Sequence, residues 1–287
     1  MDEREDAGSH WRRKVSIEAT EMGPVTGWLL EPETKGQDQV AALIASPGHY
    51  EFGKDTIAGH PDAAPELTQK PDADYGKRAV EAGYIVFVPD WWGWGDRGGH
   101  LDKVGNRDKC NVIQMAASMY GISILNLHIL ESQAILDFLS GLPEVDSARL
   151  GVIGNSYGGR TAMWIAALDQ RIKCVVSAGA ANLFRERAKV LSSCAIQFLP
   201  GLLEFGDAGE VYSLIAPRPL MIQAGTKDFL INEQDRDSII NTVLKAYNAA
   251  NASGQFEPFI FEGGHEFNWP AAESFLRKHL PPTGEAS

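Results

Sequence analysis

From residue 40 onward, short apolar runs without polar alternation recur between stretches of helical character. They are VAALIAS (40–46), YIVFVPD (84–90), RLGVIGN (149–155), IKCVVSAG (172–179), RPLMIQAG (218–225) and QFEPFIFEGG (255–264). Runs of this length predict strands buried on both faces. The segments between them, 73–83, 120–141, 157–169, 232–250 and 270–279, predict helices. Strands alternating with helices imply a mostly parallel sheet covered on both sides. Ahead of these, VSIEA (15–19) and VTGWLLE (25–31) flank Met22-Gly23-Pro24 and read as an antiparallel pair joined by a turn. The expected fold is therefore α/β, with a mixed sheet of about eight strands.

Residues 1–14 carry both charge signs and predict a mobile N-terminal tail, leaving 15–287 as a single domain. Two stretches fit neither a strand nor a sheet-covering helix. Residues 47–72 hold Gly48, Gly53, Gly59, Pro61, Pro65 and Pro71; residues 181–216 hold a short helical segment at 182–192 and a break at Pro200-Gly201. Both follow the ends of predicted parallel strands, where ligand crevices form in open α/β sheets. Long connections placed there act as lids or binding loops.

Composition narrows the partners. With 44% hydrophobic and 22% charged residues, a 287-residue chain can bury a core without staples. A net charge of -12 repels phosphate backbones and anionic lipid surfaces, so neither nucleic acid nor membrane is expected as a partner. The three cysteines, Cys110, Cys174 and Cys194, lack CxxC spacing, and their odd number fits a reducing compartment. The first residues show no apolar core of a signal peptide, and the longest apolar runs are too short for a bilayer. The expected location is cytoplasmic. A homo-oligomer is compatible with the sequence, although no heptad or amphipathic stripe marks an interface.

The chemistry concentrates at Gly154-Asn155-Ser156-Tyr157-Gly158-Gly159, a GxSxG match that follows the apolar run 150–153 and precedes the helix former TAMWIAALD. Strand, sharp turn and helix are the setting of a nucleophile elbow. Small residues at 154 and 158 let the turn pack, and Ser156 falls at a helix N-terminus, where N–H groups favour negative charge. The Tyr157 N–H becomes an oxyanion donor.

A serine hydroxyl needs a base. In this setting the chain order is Ser, then Asp or Glu, then His. Only His265 and His279 follow Ser156. His265 lies in Gly263-Gly264-His265-Glu266-Phe267, directly after the last predicted strand, whereas His279 lies in a charged terminal helix. The acid falls after the penultimate strand, at Asp228 in Gly225-Thr226-Lys227-Asp228. It would fix the imidazole tautomer and stabilise the imidazolium.

The second oxyanion donor falls in Ser46-Pro47-Gly48-His49-Tyr50, as the N–H of His49 or Tyr50. Trp91, Trp92 and Trp94, in a loop after another strand, read either as an aromatic wall of the substrate pocket or as packing beneath the long loops. Asp96 and Arg97 read as an ion pair, and Cys110 and Cys194 as buried packing. The histidines show no metal-ligand spacing, so no metal or other cofactor is expected.

Together, RAVEAGYIVFVPDWWGWGDR, RLGVIGNSYGGRTAMWIAALDQRIKCVVSAG, IAPRPLMIQAGTKD and GGHEF resemble the dienelactone hydrolase-like and acetyl xylan esterase-like branch of the α/β-hydrolase superfamily, over residues 40 to 280. The resemblance implies a cofactor-free carboxylic ester hydrolase with Ser156, Asp228 and His265 as triad, acting on a small-molecule ester. Two departures stand out. Dienelactone hydrolase itself uses a cysteine nucleophile, and secreted carbohydrate esterases carry signal peptides. The same residues would serve a C–C bond hydrolase or an acyltransferase. A non-catalytic ligand-binding protein on a hydrolase scaffold is the third reading, against which the complete triad counts.

Overall fold

The computed structural model describes residues 3–33, 38–98, 108–189 and 193–283. Within them, nine strands form one sheet: β1 (Glu5–Asp6), β2 (His10–Thr20), β3 (Gly23–Pro32), β4 (Val40–Ser46), β5 (Ile85–Pro89), β6 (Val145–Asn155), β7 (Ile172–Ala178), β8 (Leu220–Gly225) and β9 (Phe256–Phe261). Their spatial order is β1-β2-β3-β5-β4-β6-β7-β8-β9. The first three strands and the β3–β5 pairing are antiparallel, and every pairing from β5 across to β9 is parallel. This is the α/β-hydrolase fold, with the two-residue β1 as the strand beyond the expected eight.

Among the described residues, ten helices accompany the sheet: α1 (Lys54–Ile57), α2 (Ala64–Gln69), α3 (Tyr75–Glu81), α4 (Lys109–Ser118), α5 (Ile124–Ser140), α6 (Tyr157–Leu168), α7 (Phe184–Arg187), α8 (Ala208–Ser213), α9 (Glu233–Ala249) and α10 (Trp269–His279). The period-2 alternation of a strand divides each buried strand between two cores. In β4, Ala42 and Ile44 face a core shared with α5, α6, α8 and α9. Ala41, Leu43 and Ala45 face a second core shared with α1, α3 and α10. Both faces are therefore covered, which explains the missing polar alternation. Helices α9 and α10 start on side-chain caps: Asn232 Oδ1 accepts the Asp235 N–H at 2.7 Å, and Asn268 Oδ1 accepts the Ala271 N–H at 3.1 Å. No helix among the described residues is long and apolar enough to cross a membrane.

The chain runs from β4 to β5 on one side, then crosses back to β6 on the other. The loops after β4 and β6 thus part in opposite directions, leaving a crevice at the carboxyl ends of these strands.

Three expectations change. Residues 10–14 are not tail but the start of β2, paired with β3 from His10↔Pro32 onward. Their alternation is carried by charged residues whose stems are buried: Arg12 is 8% exposed, lies over the Trp28 ring and donates to Glu5 Oε2 at 3.1 Å. Residues 47–72 contain α1 and α2 rather than irregular loop alone. Residues 181–216 contain α7, α8 and two single turns of 3₁₀ helix; residues 190–192 of this stretch lie outside the described residues.

Candidate active site

Ser156 is the N-cap of α6 and holds φ 61° and ψ −123°, a conformation rare for any residue with a side chain. Neighbouring glycines make the turn possible. A Cβ on Gly158 would lie 2.0 Å from the Ser46 carbonyl oxygen, and one on Gly154 would lie 2.3 Å from the Gly158 carbonyl oxygen. The Ser156 N–H donates to Ala178 O at 2.9 Å, tying the turn to β7. The Tyr157 N–H that follows belongs to the first turn of α6, where no intrahelical acceptor exists.

Asp228 and His265 meet across the β8 and β9 turns. The Thr226 N–H donates to Phe261 O and the Lys227 N–H to Gly263 O, at 2.9 and 2.8 Å. A Cβ on Gly225 would strike the Gly264 oxygen at 2.2 Å, so the two turns are in main-chain contact. Asp228 is buried; its Oδ1 accepts the Leu230 N–H at 2.9 Å, and its Oδ2 lies 2.7 Å from His265 Nδ1. A carboxylate accepts, so His265 Nδ1 carries the proton and Nε2 is the free base. That Nε2 is buried and has no hydrogen-bond partner. The imidazole rests on Gly179, where a Cβ would lie 2.9 Å from its Cε1.

Ser156 and His265 open into one cavity of about 350 Å³, with Tyr157, His49 and Tyr50 also on its wall. The Gly48-His49-Tyr50 turn sits against the elbow, with the Gly48 Cβ position 3.0 Å from Ser156 Cβ. Of the two candidate donors, the Tyr50 N–H is engaged with Gly48 O at 2.9 Å. Of that pair, this leaves the His49 N–H as the candidate. Tyr50 serves through its side chain: the hydroxyl accepts from Asn155 Nδ2 at 3.1 Å, and burial pushes the phenol up to about 12.

A family model described as the dienelactone hydrolase family matches residues 68–276. The chain belongs to the dienelactone hydrolase family. Its similarity to the provisionally named hydrolase YtaP of Bacillus subtilis (strain 168) is 29% identity over 246 residues, 81% of this chain and 75% of that protein. Among solved structures, a Bacteroides fragilis NCTC 9343 protein provisionally titled acetyl xylan esterase superposes with a TM-score of 0.78 at 18% identity, covering 96% of this chain and 81% of the other. A glucuronoyl esterase from Solibacter usitatus superposes with a TM-score of 0.70 at 14% identity, covering 96% and 84%. At these identities the superpositions establish the shared fold.

In this dienelactone hydrolase family member the tryptophans do not line the cavity; they pack behind it. Trp91 is 1% exposed and donates to Ser46 Oγ at 2.9 Å. Trp92 donates through Nε1 to Glu131 Oε1 at 2.8 Å and lies under the Arg97 guanidinium. Trp94 stacks on Tyr157 and meets the edge of His49, so it supports the wall from behind. Indole N–H groups seek acceptors when buried, and Ser46 and Glu131 supply them. Asp96 and Arg97 do not pair with each other. Arg97 pairs with the buried Glu131, while Asp96 joins Lys14 and Lys54 around the buried Asp90.

Several wall residues went unrecognised in the sequence. Arg160, four residues after Ser156 and thus on the same helix face, is 2% exposed and lines the cavity. Its Nη2 donates to the carbonyl and side-chain oxygens of Asn182, while Nη1 has no partner. Burial draws this guanidinium down to about 10. Phe229, 85% exposed, stands at the mouth with its ring centroid 6.4 Å from that of His265. Cys110 and Cys194 are buried in the apolar core as expected, and their Sγ atoms also lie within 4.8 Å of a His49 ring nitrogen.

Proposed function

We infer that the protein hydrolyses a carboxylic ester of a small molecule through an acyl-enzyme on Ser156. The observation that carries this reading is the His265 Nδ1–Asp228 Oδ2 contact of 2.7 Å, with a free Nε2 sharing its cavity with a serine at φ 61°. Fixing the tautomer leaves Nε2 as the only ring nitrogen able to take the serine proton. Ser156 attacks the carbonyl as His265 accepts that proton, and the N–H groups of Tyr157 and His49 receive the oxyanion. One such donor contributes about 3 kcal/mol in comparable sites. His265 then passes the proton to the leaving alcohol. Water, deprotonated by His265, releases the acid. Family membership and the superposition on esterases support the choice of an ester. A cavity of about 350 Å³ suits a small acyl group better than a polymer.

A fluorophosphonate probe is expected to label Ser156, and short-chain p-nitrophenyl esters to turn over. Ser156→Ala should abolish labelling and lower turnover by at least about 10⁴-fold, with the circular dichroism unchanged. Folded protein that takes no label would overturn the nucleophile assignment. Labelled protein without ester turnover would move the reaction to C–C cleavage or acyl transfer.

A further inference from the structure

Three side chains that the triad does not use converge beside the same cavity, His49 and Cys194 on its wall and Cys110 buried behind them. His49 comes from the loop after β4, Cys110 from the first turn of α4, and Cys194 from the residue capping the 3₁₀ turn at 195–197. One imidazole nitrogen and the two Sγ atoms all lie within 4.8 Å of one another. Both thiols are free and nearly fully buried, at 1% and 4% exposure. The arrangement is braced rather than incidental. Asn111 Oδ1 accepts the Ala195 N–H at 2.6 Å, holding the two cysteine segments together. The His49 ring is fixed between Trp94 and Tyr157, at centroid distances of 5.0 and 5.8 Å.

We propose that His49, Cys110 and Cys194 form a binding site for a thiophilic divalent cation, with Zn²⁺ as the reference ion. Two thiolates and an imidazole suit zinc and disfavour Mg²⁺ and Ca²⁺, which take oxygen ligands. With Zn–S near 2.3 Å and Zn–N near 2.0 Å, tetrahedral ligand atoms stand about 3.5–3.8 Å apart. Closing the cluster from 4.8 Å therefore takes side-chain adjustments of about 1 Å, shared among three residues. Two thiolates cancel the ion's charge, so the complex can be buried without a further counter-ion. His49 and Cys194 both line the cavity, so the fourth coordination position opens toward it and holds water or a substrate atom. The spacing of His49, Cys110 and Cys194 in the chain gave no hint of this site, because each ligand comes from a separate segment.

The binding itself does not depend on the ester reading. Only its consequence does: an ion on the His49 side chain would restrain the loop whose N–H is assigned to the oxyanion. The test uses the full chain, reduced and stripped of metal. Titration with Zn²⁺ against a chromogenic chelator is expected to show one equivalent bound per chain. Co²⁺ should give thiolate charge-transfer absorption and the visible bands of a tetrahedral site. Cys110→Ser and Cys194→Ser should each weaken binding by at least about 100-fold, while Ser156→Ala leaves it unchanged, which separates this site from the triad. In wild-type protein, which avoids any folding defect of the variants, Zn²⁺ should protect Cys110 and Cys194 from alkylation. Cys174, buried in β7, provides the internal control. Substoichiometric binding, binding indifferent to both cysteine variants, or a reduced protein that forms a Cys110–Cys194 disulfide with oxidant yet takes no metal would overturn the proposal.

Discussion

The two sides of the cavity are built by different means. On one side Ser156, Asp228 and His265 stand on turns that follow β6, β8 and β9, and main chain packed on main chain holds them. Gly154, Gly158, Gly179 and Gly225 each occupy a point where a Cβ would come within 2.6 Å of a neighbouring atom. On the other side, side chains hold side chains: Trp91 on Ser46, Trp92 on Glu131, His128 between Trp92 and Tyr157, and Trp94 against His49. A turn closed by glycines admits almost no substitution, whereas a side-chain network can be rebuilt around a different cavity. The backbone-built side suits chemistry that must stay fixed; the side-chain-built wall suits a role in selecting the substrate.

The backbone-built side should break most sharply at Asp228. Its Oδ1 accepts the Leu230 N–H and its Oδ2 accepts from His265, so an amide at this position loses one of these bonds whichever way it turns. Asp228→Asn is expected to lower kcat on the order of 10⁴-fold through the wrong imidazole tautomer. The same change should cost less than about 2 kcal/mol of unfolding free energy. Steady-state kinetics and urea unfolding on one preparation check both numbers. A large loss of stability with kcat nearly intact would make Asp228 a structural carboxylate.

The same division explains what could be read from the sequence. Strand runs, the GxSxG turn, and Asp228 and His265 directly after apolar runs are local signals, because backbone turns demand particular residues at fixed offsets. The wall sends no such signal. Trp91, Trp92 and Trp94 look alike in sequence whether they face a ligand or a neighbour; their indole acceptors, Ser46 and Glu131, lie far away in the chain. Arg160 resembles any helix-surface arginine until α6 is docked on the sheet. The start of β2 was missed for a related reason, since Arg12 is buried by its stem and paired with Glu5 rather than by being apolar.

Trp92→Phe sharpens the wall's role at a smaller scale. It removes the Nε1 bond to Glu131 but leaves that carboxylate its two bonds from Arg97. The expected cost is about 1–2 kcal/mol of stability, with KM for a small ester unchanged. A raised KM at unaltered stability would return Trp92 to the substrate pocket and undo the division between wall and support.

The smallest effect is also the most specific. His128 Nε2 accepts the Trp92 N–H at 3.1 Å, so its proton is on Nδ1, which donates to the Tyr157 hydroxyl at 2.7 Å. Burial, aided by Arg97, holds this imidazole well below the usual histidine range. Above about pH 6.5 the ring is neutral in both folded and unfolded chains and contributes no pH dependence. Below it the unfolded chain gains a proton that the folded one refuses, because a second N–H would face the Trp92 N–H. Stability is therefore lost as pH falls from the ordinary histidine value toward the depressed folded one. His128→Gln can still accept from Trp92 but cannot take a proton. Between about pH 7.5 and 5.5 the wild type should lose about 1.4 kcal/mol more than this variant, read from urea unfolding at each pH. His10 and His279, also held low by burial, titrate in both proteins and cancel in the difference. Parallel profiles would mean that no neutral imidazole holds Trp92 to Tyr157, and the wall behind the oxyanion turn would need another support.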